Sequence, residues 1–199
     1  MSRASLPGVV LTMAASGVLA GPRDLGKNYA APVELGEKLV GTRPPEWALG
    51  EWINSEPLTL AGLRGKPVLV RWWTAPDCPF CAASADALNE LWRAEQSRGL
   101  VIVGAYHHKA KTPLTREHVV AHAGKFGFRF PVAIDRDWKT LENWWLHKVE
   151  RGWTSVTFVL DRAGVIRHVH GGGAYFDGEP GLAALRAAIA AVLREAPPQ

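Results

Sequence analysis

Two cysteines, Cys78 and Cys81, are the residues whose type and spacing best support chemistry in this chain. Two thiols separated by two residues at the start of a helix can close into a small disulfide ring. Free backbone N–H groups and the helix dipole favour a thiolate at the first position, so Cys78 is expected to face solvent and to act as the nucleophile. Cys81 lies a turn further in and is expected to resolve a mixed disulfide by attacking Cys78. The spacing therefore predicts thiol-disulfide exchange.

A structural disulfide and a metal site are the other interpretations of the cysteine pair. A disulfide across so short a loop contributes little chain-entropy stabilisation, which disfavours a purely structural role. The chain has no third cysteine, which excludes a four-cysteine zinc site and a disulfide-stapled scaffold. Thiolates joined by a histidine would suit Cu(I), so a copper-binding chaperone is one alternative. Its candidate ligands are His107, His108, His118, His122, His168 and His170.

The histidine pairs also have structural interpretations. His118 and His122 stand four apart on a predicted helix, as on a solvated helix face. His168 and His170 alternate, as on an exposed edge strand. No third ligand is fixed by the spacing, so the sequence predicts no metal site.

The cysteines lie between a predicted strand and a predicted helix. Apolar β-branched and aromatic runs predict strands, and apolar residues at helical spacing predict helices. In chain order the elements are a strand over 68–73, a helix over 79–97, a strand over 100–106, a helix over 115–126, a short strand over 131–134, an amphipathic segment over 138–147, a hairpin over 157–169 and a closing helix over 182–193. This order predicts an α/β fold with a mixed central sheet flanked by helices.

Composition and charge narrow the function classes. The chain of 199 residues is 47% hydrophobic and 21% charged, as in globular proteins, and it is long enough for one well-buried domain. Its net charge is +4, and no run of Lys and Arg reaches five, which gives little support for nucleic-acid binding. Nine tryptophans are more than a core this size needs, so some are candidates for an apolar client surface near Cys78.

The N-terminal region has the pattern of an export signal. Residues 1–20 combine a single early cation, Arg3, with an apolar run of about a dozen residues that ends in small residues near Ala20. This pattern predicts a signal peptide over 1–20, a leader or tether rich in Gly and Pro over 21–45, and a domain over 46–195. The predicted location is the periplasm or another exported compartment; without a signal the chain would be cytoplasmic.

The domain resembles the thioredoxin-like superfamily, and within it the exported thiol-disulfide oxidoreductases of the TlpA/ResA type, which are related to the redoxins and peroxiredoxins. The resemblance rests on the strand over 68–73, on Cys78-Pro79-Phe80-Cys81 and on the segment 157–166. It implies a thioredoxin fold that exchanges a dithiol with client proteins and has no bound cofactor or metal; a reductase of this type would also need a membrane electron donor. It further implies that Pro79, Phe80, Thr154 and Ser155 contact the client.

Three positions depart from the family pattern. The family has Trp before the first cysteine, where this chain has Asp77, and a carboxylate there opposes the adjacent thiolate. The family's cis-proline falls about three residues before Phe158, where this chain has Thr154-Ser155-Val156. The family's buried acidic or amide residue at the end of the first strand is replaced by Arg71.

A thiol peroxidase of the redoxin type is the second alternative, because peroxiredoxins share the fold and often carry Thr at the cis-proline position. Their reactive cysteine needs a preceding Pro and a hydroxyl three residues before it, and here Ala75 stands at that place. The direction of electron flow depends on the reduction potential of the pair, which the environment of the thiols sets.

Overall fold

Strands and helices alternate along most of the chain. The computed structural model describes residues 36–147 and 153–196. The strands are β1 (Gly50–Ile53), β2 (Val68–Trp73), β3 (Val101–Tyr106), β4 (Val132–Ile134), β5 (Val156–Leu160) and β6 (Ile166–Gly171). The helices are α1 (Pro79–Glu95), extended by a 3-10 turn (Gln96–Arg98), α2 (Arg116–Lys125), α3 (Lys139–Leu141), which continues as a π-helix (Glu142–Leu146), and α4 (Pro180–Arg194).

The six strands form one mixed sheet in the order β1-β4-β3-β2-β5-β6. β2 pairs parallel with β3 and β3 pairs parallel with β4, whereas β1, β5 and β6 pair antiparallel with their neighbours. The predicted α/β class and thioredoxin-like architecture are therefore confirmed. The hairpin is confirmed as well: the Gly164 N–H donates to the Asp161 carbonyl in the turn between β5 and β6.

The central strand β2 is buried on both faces, which explains its continuous apolar run. Leu69 and Trp73 point into the apolar cluster that contains both cysteines. Val70 and Trp72 point into the cluster on the opposite face. Because side chains alternate along a strand, Arg71 points to the same face as Leu69 and Trp73, which is the face of the disulfide.

Three features differ from the predicted elements. The strand β1 is not predicted; it is four residues long and has an irregular register against β4. The segment 138–147 holds a π-helix rather than one regular helix. Residues from 36 onward, which the sequence assigns to the leader, contact the domain: the Gly41 N–H donates to the Ile166 carbonyl, and the Ile166 N–H donates to the Thr42 carbonyl.

The predicted signal peptide over 1–20 and most of the predicted leader lie outside the described residues. Within the described part, no helix has the length and apolar character needed to cross a bilayer.

Candidate active site

The cysteine pair forms the first turn of α1. Cys78 is the N-cap residue, and its Sγ accepts a hydrogen bond of 3.1 Å from the Cys81 N–H. Pro79 occupies the first helical position, where its missing N–H costs nothing. The two sulfurs form a disulfide. Cys78 is more buried than the sequence predicts. It is 8% exposed, and Cys81 is 2% exposed.

Cys78 borders a groove of about 200 Å³, and Cys81 is not among its lining residues. The groove brings together all four predicted client-contact residues, Pro79, Phe80, Thr154 and Ser155. The remaining lining residues are Thr74, Asp77, Cys78, Lys109, Trp153 and Gly173. The groove therefore borders the first cysteine and not the second, which is the more deeply buried of the two.

An aromatic pair forms one wall of the groove. The rings of Phe80 and Trp153 meet edge to face with centroids 5.6 Å apart. The sequence predicts that some tryptophans form a client surface, and Trp153 lines the groove. Trp144 and Trp145 do not, since they are 2% and 1% exposed and belong to the core. Lys109 was not predicted; it follows β3 without any motif that marks it.

Ser155 stands three residues before Phe158, where the family pattern places its cis-proline. Its Oγ lies 3.5 Å from the Cys81 Sγ. Since neither sulfur of a disulfide carries a hydrogen, the hydroxyl is the donor in this contact. A cis peptide bond does occur near the disulfide, but on the cysteine side of the groove, between Ala75 and Pro76.

Arg71 lies beneath this loop and is 1% exposed. Its guanidinium donates four hydrogen bonds, all to uncharged oxygens: the carbonyls of Ser155 (3.2 Å), Gly172 (3.2 Å) and Gly173 (2.9 Å) and the hydroxyl of Thr157 (3.1 Å). Its Nε is buried without a hydrogen-bond partner. Arg71 thus ties the loop that holds Ser155 to the loop that holds Gly173, and both of these residues line the groove.

The charge of Arg71 is not neutralised within the described residues. None of the ion pairs formed there includes Arg71. The ring of Tyr175 lies 5.1 Å from the guanidinium carbon, which is a cation–π contact. Burial lowers the pKa of Arg71 from its ordinary value, but an arginine stays protonated in proteins. A formal positive charge therefore lies buried next to the loop that holds Ser155.

His107 supports the same loop from the end of β3. It is fully buried, and its Nε2 lies 2.9 Å from the Thr154 Oγ1. Burial and, to a smaller extent, the nearby Lys109 together lower the pKa of His107 to about 3. The imidazole is therefore neutral over the physiological range and fixes the Thr154 hydroxyl at the groove.

This buried histidine predicts a loss of stability in acid. The unfolded chain binds a proton at His107 below about pH 6.5, whereas the folded chain does not until about pH 3, so stability falls as the pH falls through this window. Between pH 7 and pH 5, His107 alone is expected to remove about 2 kcal/mol from the free energy of unfolding. Urea unfolding of His107→Gln should show a correspondingly smaller loss over that interval.

The exposed His147 provides the control, since His147→Asn should lose as much stability in acid as the wild type. An equal loss in His107→Gln and the wild type would contradict a buried neutral imidazole at position 107.

The other histidines form two groups that differ from their expected surroundings. His108, His118 and His122 form a row, with ring centroids 5.4 Å and 4.4 Å apart, so the α2 pair is packed rather than freely solvated. His168 and His170 are partly buried rather than exposed, and burial lowers the pKa of both. No group of three metal-ligating side chains with suitable geometry occurs in the described part of the chain.

The chain is similar in sequence to a family of known proteins. The AhpC/TSA family model matches residues 40–169. Protein DipZ of Mycobacterium tuberculosis is 27% identical over 132 residues, which are 65% of this chain but 18% of DipZ. Thiol-disulfide oxidoreductase ResA of Geobacillus thermodenitrificans is 26% identical over 130 residues, 65% of this chain and 68% of ResA. Peroxiredoxin Q of Sedum lineare is 26% identical over 132 residues, 65% of this chain and 67% of that protein.

A solved structure supports the fold. A thiol:disulfide interchange protein of the thioredoxin family from Chlorobium tepidum matches with a TM-score of 0.59 and 19% identity, over 77% of this chain and 97% of that chain. The family model covers more than half of the 199 residues. On this thioredoxin-like fold, with its cysteine pair at the start of α1, the chain belongs to the AhpC/TSA family.

Proposed function

We propose that the chain is a thiol-disulfide oxidoreductase that exchanges the Cys78–Cys81 disulfide with the thiols or disulfides of client proteins in an exported compartment. The observation that carries the proposal is the asymmetry of the disulfide: Cys78 borders the groove and Cys81 lies beneath it. A client sulfur can reach the first cysteine, while the second stays shielded for the resolving step. The name of the relative ResA, a thiol-disulfide oxidoreductase, agrees with this chemistry.

The groove suits an extended client segment. Its aromatic wall offers apolar contact, and its floor offers backbone groups and hydroxyls of the loop at 154–155. Lys109 and Asp77 place one charge of each sign at its rim. These features support protein thiols as the substrate class and roles for Pro79, Phe80, Thr154 and Ser155 in client contact. Reduction of clients would require an electron donor, for which a membrane protein is the proposed source.

Redox titration tests the proposal. The protein is equilibrated with defined glutathione mixtures, and free thiols are counted by alkylation and mass spectrometry. A single two-electron transition, together with exchange with a disulfide-bonded client such as insulin, is the expected result. A pair that stays oxidised in excess dithiol and exchanges with no client would contradict the proposal.

A peroxidase is the competing function, because peroxiredoxin Q is among the relatives. The residue three before Cys78 is Ala75, and the Arg71 guanidinium donates to carbonyls of the two loops that hold Ser155 and Gly173. Neither arrangement supplies the hydroxyl and the free cation that stabilise a peroxide transition state. Turnover of hydrogen peroxide that needs Cys78 but not Cys81 would favour the peroxidase.

A further inference from the structure

Ser155 connects a buried cation to the second sulfur of the disulfide. Its carbonyl accepts from Arg71 Nη1 at 3.2 Å, and its hydroxyl donates to Cys81 Sγ at 3.5 Å. Both residues lie out of solvent, at 1% exposed for Arg71 and 9% for Ser155. Electrostatic interactions are stronger in such surroundings than in water, because the effective dielectric constant is lower.

These contacts matter most when the disulfide opens. A client thiolate attacks Cys78 Sγ, a new sulfur–sulfur bond forms, and the Cys78–Cys81 bond breaks with its electron pair left on Cys81 Sγ. A second client thiolate then attacks the client sulfur of the mixed disulfide and expels Cys78 as a thiolate. The client has lost two electrons and become a disulfide, and the protein has gained them as a dithiol. Cys81 is thus the first leaving group when the protein oxidises a client dithiol.

The oxidised protein gives Arg71 no negative partner among the described residues, since every hydrogen bond of its guanidinium goes to an uncharged oxygen. A thiolate at Cys81 would supply one. A hydroxyl bonds much more strongly to a thiolate than to a disulfide sulfur, because bonds to ionised acceptors are the stronger kind. Both residues therefore favour the reduced protein over the oxidised one.

We propose that Ser155 and Arg71 stabilise the Cys81 thiolate, Ser155 by hydrogen bonding to the sulfur and Arg71 by its buried charge and its hold on the Ser155 carbonyl, and that they thereby make the Cys78–Cys81 disulfide an oxidant of client dithiols. The inference rests on the proposed function, and it assigns that function a direction. Ser155 contacts the reacting sulfur; Arg71 is a positioning residue that acts through Ser155 and through its charge.

The test compares reduction potentials and thiol titrations of matched variants. Ser155→Ala is expected to make the potential more negative by ~30 mV, which corresponds to about a tenfold change in the equilibrium constant with glutathione. Arg71→Met is expected to shift the potential at least as far in the same direction. Ser155→Thr keeps the hydroxyl, and Arg71→Lys keeps the charge, so each should recover part or all of the wild-type value.

Ser84→Ala is the matched control. Ser84 is also a buried hydroxyl on the disulfide side of the sheet, but it donates to the Phe80 carbonyl and accepts from the Tyr175 N–H. Its loss should lower stability and leave the potential unchanged. Thiolate absorbance in the reduced proteins provides a second readout, and Cys81 should ionise at higher pH in Ser155→Ala than in Ser84→Ala.

The possible results distinguish a failure of this inference from a failure of the proposed function. A wild-type pair that exchanges normally, with Ser155→Ala and Arg71→Met at the wild-type potential or above it, would overturn the inference and leave the proposed function intact. A wild-type pair that does not exchange would instead remove the function. Should Arg71→Met fail to fold, the potentials of Ser155→Ala, Ser155→Thr and Arg71→Lys decide the question.

Discussion

Cys81→Ser is expected to accumulate as a covalent mixed disulfide with client proteins through Cys78, whereas Cys78→Ser is expected to accumulate none. The reason is the asymmetry of the site: Cys78 borders the groove, and Cys81 lies beneath it at 2% exposed. In Cys81→Ser the free Cys78 thiol can attack a client disulfide, and the mixed disulfide that results has no internal thiol to release it. Both variants should lose turnover to the uncatalysed rate.

The two variants are a matched pair for stability. Each removes the same four-residue disulfide ring, whose chain-entropy contribution is about 2 kcal/mol, so a difference between them in trapping reflects position and not folding. Trapped species are measured by non-reducing electrophoresis and mass spectrometry after acid quenching. Clients captured through Cys81 in Cys78→Ser would reverse the assigned roles.

Trp145→Ala is expected to cost about 3–5 kcal/mol in the free energy of unfolding, the usual range for truncation of a buried tryptophan. Trp145 is 1% exposed, and its indole N–H donates to the Trp153 carbonyl at 2.7 Å. A Cβ on Gly171 would lie 2.6 Å from the indole, so the glycine makes room for the ring. The truncation therefore empties a closely fitted space and also releases the residue that precedes Thr154.

Trp145→Phe separates the two contributions. Phenylalanine keeps much of the packing but leaves the Trp153 carbonyl without its donor, for which ~1–3 kcal/mol is expected. Trp92→Phe, at a partly buried position on α1, is the control and should cost less than Trp145→Phe. Chemical denaturation with matched m-values measures the differences. Equal costs at positions 145 and 92 would contradict a specific role for the Trp145 hydrogen bond.

The local features of the site could be predicted from the sequence. The cysteine pair, Pro79 and the helix that follows are encoded within a few residues, so their arrangement depends little on the rest of the chain. β1 could not be predicted in the same way, since it is short, irregular in register and has Glu51 at a φ of 49°. Its position is set by pairing with β4 and not by its own pattern.

Contacts made by backbone carbonyls are the part that residue types do not reveal. The sequence shows Arg71 as a cation in place of the family's acidic or amide residue. Three of its four acceptors, however, are the carbonyls of Ser155, Gly172 and Gly173, which any residue type would supply. The sequence makes His107 a candidate metal ligand, because a short polar motif does not show whether its residues are buried. In the structure it is a buried neutral partner of Thr154.

The hydrogen bonds of Arg71 also determine when the site can form during folding. The disulfide joins residues three apart, whereas the hydrogen bonds of Arg71 span 84 to 102 residues of chain. Contacts of such long range form only after the intervening chain has been brought together. In the unfolded chain the cysteines can therefore pair before the groove exists. The proposed exchange with clients can therefore be selective only after the β5–β6 hairpin and the segment after it have docked on β2.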